Sequence, residues 1–130
     1  MTENEIGQNV VDAAIGVHRE IGPGLLESVY EMVLAHELRQ RGLRVEQQVF
    51  IAIEYKGVTL EKAFQADLIV GDKVIVELKC VENISNAHKK QLLTYLRLSG
   101  RKLGYLLNFS EALMKHGITR TVNGLVESNQ

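Results

Sequence analysis

The chain is predicted to fold as one α/β domain, and three observations carry that prediction. Apolar residues recur at helical spacing up to Gly42. From Leu43 onward the apolar period shortens to two. The run Val74-Ile75-Val76 is then apolar on both faces, as a strand covered on both sides must be, before helical spacing returns.

Each element follows in turn. Residues 5–20 place Ile6, Val10, Ala13, Ala14 and Val17 on one stripe, which is a helix with a single buried face. Ile21-Gly22-Pro23-Gly24 breaks it, since proline lacks an amide donor and glycines flank it. A second helix is expected over 25–41, with Leu26, Val29, Val33, Leu34 and Leu38 facing the core and Gly42 as its stop. Val45, Val49, Ile51 and Ile53 alternate with polar or small residues, giving a strand exposed on one side. Tyr55-Lys56-Gly57-Val58 reads as a turn. Strands over 62–70 and 73–80 flank Gly71-Asp72, and the second is the central one. A third helix over 87–99 ends at Gly100 and precedes a strand over 103–109. A helical turn over 112–115 and an edge strand over 118–122 complete the order, and the polar residues past Gly124 are expected to fray.

With 130 residues, 45% of them apolar and 24% charged, the composition is that of one globular domain over 1–130, its core spanning about 6–125. No apolar run is long enough to span a membrane. The acidic N-terminus lacks an apolar signal core, and the lone Cys80 suits a reducing cytoplasm. A net charge of −1 excludes a generally basic coat, so any nucleic-acid contact must be a local patch. His18, His36, His88 and His116 lack metal-ligand spacing, which argues against zinc.

The chemistry concentrates in Asp67 and Glu77-Leu78-Lys79 on consecutive strands. Glu77 and Lys79 lie two apart and share a face, so an apolar strand carries two charges that must pair or hold a metal. Two carboxylates suit Mg²⁺, and a neighbouring lysine suits a phosphate or an attacking water. The loop sets a condition. A two-residue loop at Gly71-Asp72 would put Asp67 opposite Val76, whereas a three-residue loop or a bulge puts it opposite Glu77. Gln91 and Tyr95 share one face of the third helix, and Glu27 and Tyr30 share one face of the second. His88, Lys89, Lys90, Arg97, Arg101 and Lys102 form a candidate basic patch around the third helix.

The set Asp67, Glu77-Leu78-Lys79 and Gln91-Leu92-Leu93-Thr94-Tyr95 resembles the PD-(D/E)XK nuclease superfamily, and within it the RecB-like branch with a QxxxY motif. Gly24-Leu25-Leu26-Glu27-Ser28-Val29-Tyr30 resembles the signature of its GxxExxY family. Ala66 departs from the motif by standing where its name has proline. The resemblance implies a restriction-endonuclease-like fold, a mixed central sheet flanked by helices, and cleavage of DNA phosphodiesters with Mg²⁺ or Mn²⁺. It implies that Asp67, Glu77, Glu27 and the Leu78 carbonyl hold the metal, that Lys79 acts on the water or phosphate, and that Gln91 and Tyr95 position substrate or the lysine.

Plainer readings stand beside these. The charged trio can be an ion-pair cluster, Glu27 a first-turn acid favouring the helix dipole, and Lys89 and Lys90 a solvated helix face rather than substrate contacts. Tyr30 reads as structural, with its ring buried and its hydroxyl bonded. Cys80 reads as a small apolar residue. Three functions follow: a metal-dependent nuclease, a catalytically silent nuclease-fold module that binds or regulates within a larger nucleic-acid complex, or an enzyme acting on another phosphate ester. The short chain also suggests a homodimer or a protein partner, and no membrane.

Overall fold

The first helix is fixed by its start. The Thr2 hydroxyl accepts from the Glu5 amide while the Glu5 carboxylate accepts from the Thr2 amide, a reciprocal cap. In the computed structural model, which describes residues 1–126, α1 then runs Glu3–Ile21. The polar tail expected to fray reaches into residues 127–130, which lie outside the described range. Gly22 ends α1 at φ 70°, a conformation glycine adopts without a Cβ clash. Helix α2, Glu27–Gln40, buries Tyr30, Leu34, Ala35 and Leu38. Leu26, expected in the core, is instead the helix N-cap and is 73% exposed. Its extended backbone lies outside the first turn, so its side chain misses the buried stripe. Tyr30 fills the core in its place. Its ring stacks on Phe109 at 4.5 Å, and its hydroxyl donates to Gly22 O at 2.6 Å and accepts from Leu25 N at 3.1 Å.

Five strands form one mixed sheet in the order β1 (Val45–Tyr55), β2 (Val58–Val70), β3 (Val74–Lys79), β4 (Leu103–Asn108), β5 (Ile118–Val122). All neighbours are antiparallel except β3 and β4, which are parallel. That pair needs a crossover, and α3, Asn86–Ser99, supplies it. Ser85 caps α3 by accepting from His88 N, which starts the helix one residue before the sequence expectation. Helices α1 and α2 cover one face, where Val10, Leu34, Leu68, Val76, Leu78 and Leu107 join one core. Helix α3 covers the other, where Leu92 and Leu96 meet Ile69, Ile75 and Leu106. Every residue from Val74 to Leu78 is buried, as expected of the central strand. In place of a helical turn over 112–115 there is a 3₁₀ turn over Met114–His116, while β5 falls on the expected residues.

The outer strands depart from simple alternation. Val45 packs into the α1/α2 core, yet Val49, Ile51 and Ile53 pack on the α3 side. On β2, Leu68 and Ala66 likewise fall on opposite sides although two residues apart. The exposed-on-one-side strand of the sequence reading is therefore two half-strands with opposite faces inward. The switch lies at Gln48, whose φ of 51° breaks the pleat.

Candidate functional site

Strands β2 and β3 pair only over Leu68↔Val76, Ile69↔Ile75 and Val70↔Val74, closed by the three-residue loop Gly71, Asp72, Lys73. This is the odd-length loop that puts Asp67 in line with Glu77. Asp67 lies well inside β2, which is longer than the sequence reading allowed, but at the point where β2 parts from β3. The next rung of the ladder is replaced by side chains. Asp67 N donates to Glu77 Oε2 at 2.7 Å, and Leu78 N donates to Asp67 Oδ2 at 2.9 Å. Each carboxylate thus takes an amide that the opposite strand no longer satisfies.

Glu77 is only 6% exposed. Burial, and then the neighbouring Asp67 carboxylate, push its carboxyl up to about 8, while the Asp67 amide and the Lys79 ammonium pull the other way. Glu27, exposed in the first turn of α2, belongs to the same field. Desolvation and Asp67 raise its pKa, opposed by Lys79 and by a hydrogen bond from the Cys80 amide. Lys79 ends β3, half-buried, on the face of Glu77. Tyr95 reaches the site from α3: its ring stacks on Phe64 at 4.0 Å, and desolvation, Glu77 and Asp67 raise its hydroxyl pKa. The Cys80 thiol is pushed up by desolvation and then by Glu27, so it stays protonated beside the site.

The remaining expectations divide. Gln91 stands exposed one turn before Tyr95, towards the end of α3 that follows β3, and Lys89 and Lys90 are exposed on the preceding turn. The basic residues do not form one patch. Lys89 lies about 15 Å along the axis from the end of α3 at Ser99, and Arg101, beyond that end, pairs with Asp72 in the β2–β3 loop at 3.2 Å. Two residues near the site, Gln48 and Asn108, carry no chemistry that the sequence singles out. Gln48 Nε2 donates to Asp67 Oδ1 at 3.3 Å and to Glu31 Oε1, so α2, β1 and β2 meet at one amide. The adjacent pair Gln47-Gln48 interrupting the alternation was its only sequence signal. Asn108 is buried opposite Lys79. Its Oδ1 accepts from Val81 N and Ser110 N, and its Nδ2 donates to Val81 O, which ties down the chain leaving β3. A lone amide ending a buried strand was the signal there.

The donor chemistry fits a hard divalent cation. Asp67, Glu77, Glu27 and the Leu78 carbonyl all offer oxygen, and the Asp67 repulsion that adds to burial in raising Glu77 and Glu27 is what a cation relieves. Among the described residues no three His, Cys, Asp or Glu side chains gather into a ready cage. The fit is therefore to an open oxygen site that keeps several waters on the cation, the usual habit of Mg²⁺.

The family description PD-(D/E)XK nuclease superfamily matches residues 4–121 of this chain. A solved structure described as "Crystal structure of SSO0001" superposes with a TM-score of 0.50 at 19% identity, covering 91% of this chain and 67% of that one, which is a likeness of fold. No curated protein matches the sequence. Among the described residues no helix is long and apolar enough to cross a membrane.

Proposed function

The chain belongs to the PD-(D/E)XK nuclease superfamily, and from that premise we propose a metal-dependent nuclease of the cytoplasm that hydrolyses phosphodiester bonds, with DNA as its substrate. The observation that carries the reading is the Asp67–Glu77 exchange of side chain for backbone where β2 and β3 part, with Lys79 on the face of Glu77. Asp67, Glu77, Glu27 and the Leu78 carbonyl hold Mg²⁺ or Mn²⁺, which when bound supplies charge stabilisation for the phosphoryl oxygens and a more acidic water. Lys79 presents its ammonium to the attacking water or the scissile phosphate. Asn108 holds Val81 and so sets where the chain turns away beyond Lys79. Tyr95 and Gln91 close the α3 side and position the substrate, and Lys89 and Lys90 take phosphates further along the strand. A second copy or a protein partner extends the contact surface. The GxxExxY signature around Glu27 and Tyr30 and the QxxxY pair belong to this same reading.

A second reading rests on a specific observation. Each carboxylate already serves a backbone amide, and no third acid completes a cage among the described residues, which suits a silent nuclease-fold binding module. One experiment separates the two. Labelled single- and double-stranded DNA and RNA are incubated with Mn²⁺, Mg²⁺ or EDTA and with wild type, Glu77→Ala or Lys79→Ala, alongside Mn²⁺ calorimetry of wild type and Asp67→Ala. Metal-dependent cleavage lost in both variants, with binding heat lost in Asp67→Ala, is the expected result. No cleavage and no heat would overturn the nuclease reading in favour of the binding module.

A further inference from the structure

Adjacent residues of a β-strand point to opposite faces, yet the side chains of Gln47 and Gln48 reach the same partner. Gln47 Nε2 donates to Glu31 Oε2 at 3.0 Å, and Gln48 Nε2 donates to Glu31 Oε1. The backbone of Gln48 makes this possible. At φ 51° it occupies the left-handed region that a side chain other than Asn or Gly rarely adopts, and the pleat turns there. Holding such a conformation costs free energy, and these outliers gather where a side chain must be aimed. The aim here is Asp67. The same Gln48 nitrogen donates to Asp67 Oδ1 at 3.3 Å, while Asp67 Oδ2 accepts from Leu78 N. Both Asp67 oxygens are thereby fixed, one from β1 and one from β3. Glu31 is anchored in turn through Gln47, whose Oε1 accepts from Arg39.

We infer that Gln48 is a positioning residue of the site: it spans the gap between the Glu31 and Asp67 carboxylates with one neutral amide and holds Asp67 in its liganding rotamer. A neutral donor suits this task. It satisfies two anions without adding a cation that would compete with a bound metal. The inference rests on the reading of Asp67 as a metal ligand given above, and it adds α2 and β1 to the machinery through a residue that need not touch the metal.

The test uses Gln48→Gly, which relaxes the backbone and deletes the amide, and Gln48→Glu, which keeps the length but cannot donate. Calorimetry with Mn²⁺ measures affinity, and amide hydrogen exchange in the metal-free protein measures protection at Leu78, the donor to Asp67. Thermal melting serves as the control for folding. The expected result is a melting temperature in Gln48→Gly within a few degrees of wild type, Mn²⁺ affinity weakened roughly 10- to 100-fold, and faster exchange at Leu78. Gln48→Glu can no longer donate to either carboxylate, so exchange at Leu78 is expected to speed up as it does in Gln48→Gly. Wild-type affinity together with unchanged Leu78 protection in Gln48→Gly would overturn the inference. Wild type that binds no Mn²⁺ would refute the metal-site reading instead, and Leu78 exchange alone would still decide whether Gln48 orients Asp67.

Discussion

Replacing Glu77 with glutamine is expected to stabilise the protein at pH 8 while removing a proposed ligand. The native carboxyl titrates near 8 against an ordinary value of 4.5, because it is buried and faces Asp67. The folded value is the higher one. Between the two, the native state keeps a proton that the unfolded chain has released, so this contribution is complete below about 4.5 and is lost as the pH rises through about 8. That gap corresponds to at most about 5 kcal/mol. Discounted for the response of the surroundings to a buried charge, about 2–3 kcal/mol of it is expected to be realised. Glutamine reproduces the neutral carboxyl: its Oε1 accepts the Asp67 amide that Glu77 Oε2 accepts at 2.7 Å, and its Nε2 donates to the Asp67 carboxylate. Urea titrations in EDTA at pH 5 and pH 8 give the comparison. The two proteins should match at pH 5, and the glutamine variant should exceed wild type by about 2–3 kcal/mol at pH 8. A variant less stable than wild type by the same amount at both pH values would refute the reasoning, for it would mean that the native carboxylate is ionised and its charge favourable.

Three further outcomes follow from the packing. Asn108→Ala leaves the Val81 and Ser110 amides and the Val81 carbonyl without their side-chain partner, so a loss of about 2–4 kcal/mol is expected by chemical denaturation, and wild-type stability would show that water replaces the amide. Tyr30→Phe keeps the ring stacked on Phe109 and removes the bonds to Gly22 O and Leu25 N. It should cost about 1–2 kcal/mol, with the extra hydrogen exchange confined to the segment entering α2. In Gly117→Ala the new Cβ would collide with the Asn108 carbonyl oxygen, which is backbone and cannot swing aside. A melting temperature lowered by 4 °C or more is expected, and an unchanged one would show that the β4–β5 connection yields.

The helices and the central strand were legible because burial there follows one period. Ile6, Val10, Ala13, Ala14 and Val17 are all buried as a single stripe predicts. Even the pairing of Asp67 with Glu77 reduced to a choice of loop length, since strand parity leaves only two answers. What stayed hidden depends on single dihedrals and long-range contacts. Gln47-Gln48 interrupts the alternation but does not announce a left-handed φ, so neither the direction of the switch along β1 nor the bridge to Glu31 can be read from it. The basic residues of α3 illustrate the converse. Nearness in sequence suggested one patch, but a helix separates its ends in space, and Asp72 claims Arg101. At Asn108 the sequence shows only a lone amide ending a buried strand, and its worth appears only through partners brought in from Val81 and Ser110.

The break at Gln48 also bears on how such a chain can vary. Beyond it, β1 and β2 pair with each other out to the tip, where Lys56 and Gly57 at φ 48° and 83° turn the hairpin. No rung with β3 extends past Leu68. Adding or removing two residues on each arm would therefore preserve which side chains face α3 and would leave Asp67, Glu77 and Lys79 where they are. The hairpin can be lengthened or trimmed like a spacer, and its reach from the site becomes adjustable independently of the chemistry at its base.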